Sequence, residues 1–240
     1  MLSADVEYRE ARGHDRGATM NLLFDLDGTL TDPGVGITRC IQHALRGLGR
    51  ETPACAELER FVGPPLAGTF AELLASDDAD LVARAIALYR ERFGVLGLFE
   101  NALYPEIPAA LAALAAQGHH LWVVTSKPTV YARRIVEHFG MRDGFRAVYG
   151  SELDGRNTDK ADLIREVLDH ERLHPEDTWM IGDRALDVRG GRCNRVWTAG
   201  VLWGYGSEVE LRGEQPDRLL RHPSELASGL RPAEPLPRTA

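Results

Sequence analysis

Short apolar runs alternate with longer amphipathic stretches along most of this 240-residue chain. Leu22-Leu23-Phe24, Leu121 to Val124 and Thr178 to Ile181 are such runs, and each gives way to a small or acidic polar residue: Asp25, Thr125-Ser126 and Gly182-Asp183. Continuous apolar runs of this length suit strands buried on both faces of a parallel sheet. Between them apolar residues recur at helical spacing: Ile107, Leu111, Leu114 and Ala115 before Gly118, then Tyr131, Ile135 and Phe139 before Gly140, then Ile164, Val167 and Leu168. Pro128 suits the first turn of the second of these helices, and the glycines suit C-terminal stops. Two further strands are expected at Phe145 to Tyr149 and Arg195 to Ala199. Strands alternating with helices predict an α/β fold with a doubly wound, Rossmann-like parallel sheet.

From about Pro33 to Ala102 the alternation stops and the pattern is helical throughout. Ile37, Ile41, Ala44, Leu45 and Leu48 share one face, and Val82, Ile86, Tyr89 and Phe93 share another. Phe61-Val62-Gly63-Pro64-Pro65-Leu66 between them is a turn-rich breaker. The organisation predicted is a catalytic core of residues 20–32 and 103–230, interrupted by an all-helical cap of residues 33–102 that reads as a lid. Residues 1–19 form a polar extension expected to be disordered or weakly docked, and the proline-rich segment 231–240 a disordered tail.

Composition narrows the function. A chain this long with 44% hydrophobic residues can bury a full core. Its net charge of −8 offers no broad basic field, which argues against a nucleic-acid polymer as partner, so any phosphate must be held locally. No run approaches the ~18 apolar residues of a membrane span, and the first residues lack the apolar stretch of a signal peptide. Cys40, Cys55 and Cys193 are odd in number and irregularly spaced, which fits reduced thiols in the cytoplasm better than disulfides or a metal site. The eight histidines form no ligand-like or relay spacing.

The candidate chemistry lies at the strand ends. Asp25-Leu26-Asp27-Gly28-Thr29 places two carboxylates two residues apart where a buried strand stops, at the crevice where such sheets bind ligands. One carboxylate can attack phosphorus and form an acyl-phosphate, and the other can hold a proton for the leaving oxygen. Gly28 permits the tight turn that both roles require. Thr125 can bind a phosphate oxygen through its hydroxyl and its backbone N–H, and Gly28, Ser126 and Lys160 complete the candidate phosphate-binding set. Asp183 and Asp187 place carboxylates on a loop that could share a magnesium ion with Asp25. Lysine usage points the same way: of 28 basic residues only Lys127 and Lys160 are lysine, and both fall where a phosphoryl-transfer site needs a compact positive charge.

Asp25-Leu26-Asp27-Gly28-Thr29, Thr125-Ser126, Lys160 and Gly182-Asp183 through Asp187, in this order, resemble the four motifs of the haloacid dehalogenase superfamily. The resemblance implies Asp25 as nucleophile, Asp27 as general acid and then base, and Thr125 and Lys160 as phosphate ligands. It further implies Mg2+ held by Asp25, Asp183 and Asp187 with the Asp27 carbonyl, and a helical cap inserted after the first motif. Phe24 to Pro33, Phe61 to Leu66, Thr125-Ser126-Lys127-Pro128 and Gly150 to Gly155 are similar to bacterial 5′-nucleotidases often labelled phosphoglycolate phosphatase-like. Gly190-Gly191 departs from the Gly-Ala pair such proteins often carry, at a packing position.

The expected activity is magnesium-dependent hydrolysis of a small phosphorylated metabolite through an aspartyl-phosphate, with a nucleoside 5′-monophosphate as substrate and phosphoglycolate as runner-up. A dehalogenase needs no acid at Asp27, and a phosphonate hydrolase needs a cap lysine that Pro33 to Ala102 lacks. A phosphomutase uses the same motifs, and a non-catalytic binding protein should have lost one of Asp25, Asp27, Lys160 or Asp183. Gly63 and Pro64 are expected to contact substrate from the cap, with Arg39 and Lys127 as basic residues near the pocket. Phe61, Phe70, Tyr89, Phe93 and Phe99 could supply an aromatic wall for a base, although most of them should pack the cap interior.

Overall fold

Leu22, Leu23 and Phe24 are wholly buried, and alternate residues face two different cores. Leu22 and Phe24 join a large cluster that extends into the cap, whereas Leu23 packs with Trp122, Val124 and Met180 against Leu163, Ile164 and Val167. A strand buried on both sides in this way can only be central in a doubly wound sheet. The computed structural model describes residues 19–230, so the expectations for residues 1–18 and 231–240 lie outside the described residues.

Six parallel strands form the sheet: β1 (Asn21–Phe24), β4 (His120–Pro128), β5 (Val148–Ser151), β6 (Thr178–Gly182), β7 (Trp197–Val201) and β8 (Arg218–Leu220). Their order is β5-β4-β1-β6-β7-β8. The chain leaves β1 towards one edge and returns to build the other, so the direction of winding reverses at the carboxyl end of β1. Open α/β sheets bind ligands at such a switch point. The Asp25 N–H still donates to the Ile181 carbonyl at 2.9 Å, which carries the ladder one residue beyond β1 and fixes where that aspartate opens.

Two strands, β5 and β7, begin later than the apolar pattern suggested. Phe145 is buried, but it serves as an edge-on partner for Phe24 with ring centres 6.3 Å apart, before the strand proper begins at Val148. Arg195 takes a positive φ of 60°, which ends the preceding helix, so β7 starts at Trp197. Strand β4 continues past Val124 with an irregularity, because Thr125 pairs with Gly150 whereas Pro128 pairs with Ser151. Three steps on one strand thus match one on its neighbour, and Ser126 and Lys127 are thrown out of register. Pro128 closes this strand and caps the next helix from outside its first turn.

The inserted helices run α1 (Gly34–Gly47), α2 (Cys55–Leu58), α3 (Leu66–Leu74) and α4 (Ala79–Arg92), followed by a π turn over Phe93–Gly97. Helix α4 starts where the Asp78 carboxylate accepts the Asp80 and Leu81 N–H groups, at 3.0 and 3.3 Å. A two-stranded antiparallel ribbon of β2 (Thr31–Asp32) and β3 (Ala102–Leu103) joins the insertion to the core. Among the described residues, no helix is long and apolar enough to cross a membrane. Cys40, Cys55 and Cys193 are all free thiols.

Candidate active site

Asp25 and Asp27 leave the end of β1 on a turn set by Gly28, whose φ is +80°. A Cβ on that glycine would lie 2.2 Å from an Asp183 carboxylate oxygen, so glycine is required both for the turn and for the close approach of the two motif loops. Its N–H donates to the Thr31 carbonyl at 2.7 Å, so the structure gives Gly28 the turn rather than a phosphate contact through that N–H.

Helix α7 (Lys160–Glu171) begins behind Asp159, whose carboxylate accepts the Ala161 and Asp162 N–H groups at 2.8 and 3.1 Å. That cap holds the first turn in place, and Lys160, its first residue, points into the cluster with its side chain almost wholly buried. Its ammonium lies 2.9 Å from Asp25 Oδ1, 2.8 Å from Asp187 Oδ1 and 3.0 Å from the Val124 carbonyl. The contacts to Asp25 and Val124 are hydrogen bonds, and that to Asp187 is an ion pair. Burial works against the charge, but the carboxylates of Asp187 and Asp25 outweigh it and hold the pKa above the ordinary lysine value.

Asp183 sits between two loops, accepting the Tyr205 N–H at 2.8 Å and the Thr29 hydroxyl at 3.3 Å. Burial, reinforced by the negative charges of Asp187 and Asp25, pushes its pKa well above the usual carboxylate range. Asp187, in the first turn of α8 (Ala185–Cys193), is raised by burial against the pull of Lys160, and its Oδ2 accepts the Arg184 N–H at 3.1 Å. Asp25, Asp183 and Asp187 are all buried, each offering an oxygen within 4.8 Å of the others. One lysine cannot balance three carboxylates, and an all-oxygen cluster with surplus negative charge fits a hard divalent cation.

Asp27 is held differently. Its Oδ2 pairs with the Lys127 ammonium at 2.7 Å, while its Oδ1 is buried without a hydrogen-bond partner. Burial raises the Asp27 pKa, and the Lys127 charge opposes that rise. The Lys127 side chain is only 6% exposed and its ammonium lies 4.5 Å from the centre of the Phe93 ring, which reaches over from the cap. The irregularity in β4 is what turns Lys127 inward.

The structure brings Asp25, Asp27, Asp183, Asp187, Lys127 and Lys160 together and keeps Thr125 buried at the end of the regular part of β4. Two expected residues are directed elsewhere. The Ser126 hydroxyl donates to the Thr158 carbonyl at 3.4 Å, and Arg39, 54% exposed, pairs with Glu100 at 2.8 Å on the cap. The cap aromatics also turn inward: Phe70 meets Tyr89 edge-on and Tyr89 stacks on Phe93, with ring centres 6.2 and 5.3 Å apart, and Phe93 ends edge-on against Tyr131 of the core. Phe99 lies against His138 on the surface, and Phe61 is buried beneath Arg60. Sequence reasoning missed Arg184, which reaches the cap, and Tyr205, which holds Asp183. Gly63 comes to that arginine, 3.2 Å from any added Cβ to its Cγ.

Residues 22–201 match the haloacid dehalogenase-like hydrolase family. The chain belongs to that family. A 5′-nucleotidase of Pseudomonas aeruginosa is 52% identical over 196 residues, which cover 82% of this chain and 88% of that protein. The tyrosine-protein kinase PtkA of Mycobacterium tuberculosis is 37% identical over 185 residues, 77% of this chain and 62% of that one. A predicted phosphatase from Clostridium acetobutylicum, known by crystal structure, is 38% identical and superposes with a TM-score of 0.85 over 89% of this chain and 99% of that one. Within the haloacid dehalogenase-like hydrolases, then, this protein is an enzyme of the phosphatase kind.

Proposed function

We propose that the protein is a magnesium-dependent phosphomonoesterase that works through an aspartyl-phosphate and takes nucleoside 5′-monophosphates in the cytoplasm. The observation that carries this reading is the division of labour between the two motif aspartates. Asp25 is tied to Lys160 within the carboxylate cluster, whereas Asp27 stands apart with one buried oxygen unpartnered. In the first half-reaction an Asp25 oxygen attacks phosphorus, and the bond to the leaving oxygen breaks as Asp27 supplies its proton. In the second, Asp27 takes a proton from water as that water attacks phosphorus, which releases phosphate and restores the Asp25 carboxylate. Lys160 and Thr125 would hold the phosphoryl oxygens.

Asp25, Asp183 and Asp187, with the Asp27 carbonyl, would hold the magnesium ion. Bound there, it would offset the charge of the cluster and of the phosphoryl oxygens.

The preference for a nucleotide over phosphoglycolate rests on the 52% identical 5′-nucleotidase and on the state of the two basic residues that the sequence offered for a second anion. A second substrate carboxylate would need a cation of its own. Arg39 is engaged by Glu100 and Lys127 by Asp27.

The test is release of free phosphate from a panel of small phosphomonoesters, with magnesium and with a chelator. Magnesium-dependent release, fastest from nucleoside monophosphates, is expected. Transfer of the phosphoryl group to another molecule without release of phosphate would overturn the reading.

A further inference from the structure

We propose that Arg184 is a positioning residue that seats the cap loop over the active site and thereby sets how selectively the enzyme takes its leaving group. The proposal rests on the phosphomonoesterase reading above and deepens it.

Arg184 stands between the metal-site aspartates Asp183 and Asp187, yet its side chain leaves that site. Its backbone N–H is held by Asp187 Oδ2 at 3.1 Å, and its Nε donates to Glu210 Oε1 at 2.9 Å. Glu210 is itself fixed, since the same oxygen accepts the Ala185 N–H at 2.9 Å and the Glu210 N–H donates to the Ser207 hydroxyl at 3.0 Å. With the guanidinium oriented in this way, Nη1 donates to the Val62 carbonyl across the core–cap boundary at 2.6 Å. This is a short, charge-assisted bond to backbone, and the group that makes it is pre-organised by Glu210.

The receiving side is shaped to match. Gly63, next to Val62, has φ +104°, where other residues are strained, and a Cβ on it would lie 3.2 Å from Arg184 Cγ. An added Cβ would strain the loop at that φ and push the arginine stem back by a few tenths of an ångström. Pro64 and Pro65 follow at once and stiffen the segment that runs into α3. A rigid loop pinned at Val62 by a residue of the metal loop ties cap closure to the geometry of the aspartates. A surface ion pair would not need this detail: Arg184 and Glu210 alone would satisfy each other without the cap.

The comparison that tests the role is kcat/KM for AMP, whose leaving group is large enough to meet the cap loop, against glycerol 3-phosphate, whose leaving group is compact. Arg184→Met keeps the apolar stem and deletes both hydrogen bonds. It should lower the AMP to glycerol 3-phosphate ratio roughly tenfold, the scale of one hydrogen bond to a charged group, chiefly through KM for AMP. Arg184→Lys, which cannot serve Glu210 and Val62 together, should recover part of the ratio. Gly63→Ala should reproduce the Met variant, and the double variant should be little worse than either alone, since both break one contact. Amide exchange at Val62 and Gly63 should quicken in Arg184→Met whichever substrate the enzyme prefers.

A fall by the same factor for both substrates, with additive effects of the two substitutions and unchanged exchange in the loop, would show that Arg184 only braces Asp187 and would overturn the proposal. Absence of phosphate release from any ester by the unaltered enzyme would instead overturn the phosphomonoesterase reading, and the exchange measurement would still decide the seating of the loop.

Discussion

The core and the cap meet at the same cleft but are fixed by opposite means. On the core side, the charged residues leave strand ends or a capped first turn, lie buried, and are held by partners from other elements: Lys160 binds Asp25, Asp187 and Val124, and Asp183 binds Tyr205 and Thr29. On the cap side, the interior is an aromatic and aliphatic pack that runs into the hydrophobic cluster of the core, and polar contact with the core is made at a few points. Arg184 reaches Val62, Arg134 donates to the Gly94 carbonyl at 2.8 Å, and Phe93 covers Lys127. The difference separates two jobs. A nucleophile and its counter-charges must be pre-organised before substrate arrives, while a lid must open and close, and the few polar contacts across the boundary can break and re-form as it does.

The sharpest break on the core side is Asp25→Asn, which should abolish phosphate release altogether, because an amide is a poor nucleophile and the substitution also removes a carboxylate from the metal cluster. Full activity in that variant would sink the mechanism. Asp27→Asn should leave the nucleophile in place and slow both proton transfers, with a loss of ~10²–10⁴ in kcat. Single-turnover kinetics should show both the formation and the decay of the phosphoenzyme slowed.

Lys160→Met tests whether the core side is bound as tightly as its contacts suggest. It strands Asp25 and Asp187 as buried carboxylates without their ammonium, and breaking a buried pair in this way costs about 3–5 kcal/mol. Urea unfolding without metal should show that loss, and added magnesium should restore part of it by binding the folded cluster. Unchanged stability without metal would mean that the cluster sheds its charge by protonation instead.

On the cap side the effects should fall on selectivity. Replacing Phe61 to Leu66 with the corresponding loop of another family member should change the order of substrate preference while melting temperature holds. A change in stability alone would make the helical insertion a decoration.

The two regions also differed in how legible they were. Core chemistry showed in the sequence because an apolar run that stops at a polar residue marks a strand end, and the strand ends converge on the switch point: Asp25, Thr125 and Asp183 were found in that way. Lys160 showed through scarcity, since a chain that otherwise uses arginine placed one of its two lysines there. Arg184 was hidden for the complementary reason, as one arginine among many whose partner, Val62, lies 122 residues away. Arg39 misled because its partner Glu100, 61 residues on, is visible only once the cap is folded. Strand β8 has three residues, two of them leucine, too short to stand out from its surroundings. Tyr205 acts on Asp183 through its backbone N–H, which the side-chain type does not reveal.

The smallest expected effect lies where the two regions touch without a conventional hydrogen bond. Phe93 ends the cap's aromatic series and lies over the Lys127 ammonium, which itself pairs with Asp27. A desolvated cation over an aromatic face contributes ~2 kcal/mol, against ~0.5–1 kcal/mol at an exposed site. Lys127 is buried, so a coupling nearer the upper figure is expected. Phe93→Leu and Lys127→Met each disturb other neighbours as well, the first leaving space beside Tyr89 and Tyr131 and the second leaving Asp27 unpaired. The pairwise term therefore has to come from the double-mutant cycle, measured by urea unfolding, in which those separate costs cancel. A coupling near zero would mean that the ring only shields the ammonium from water, and that Arg184 and Arg134 hold the cap without help from Phe93.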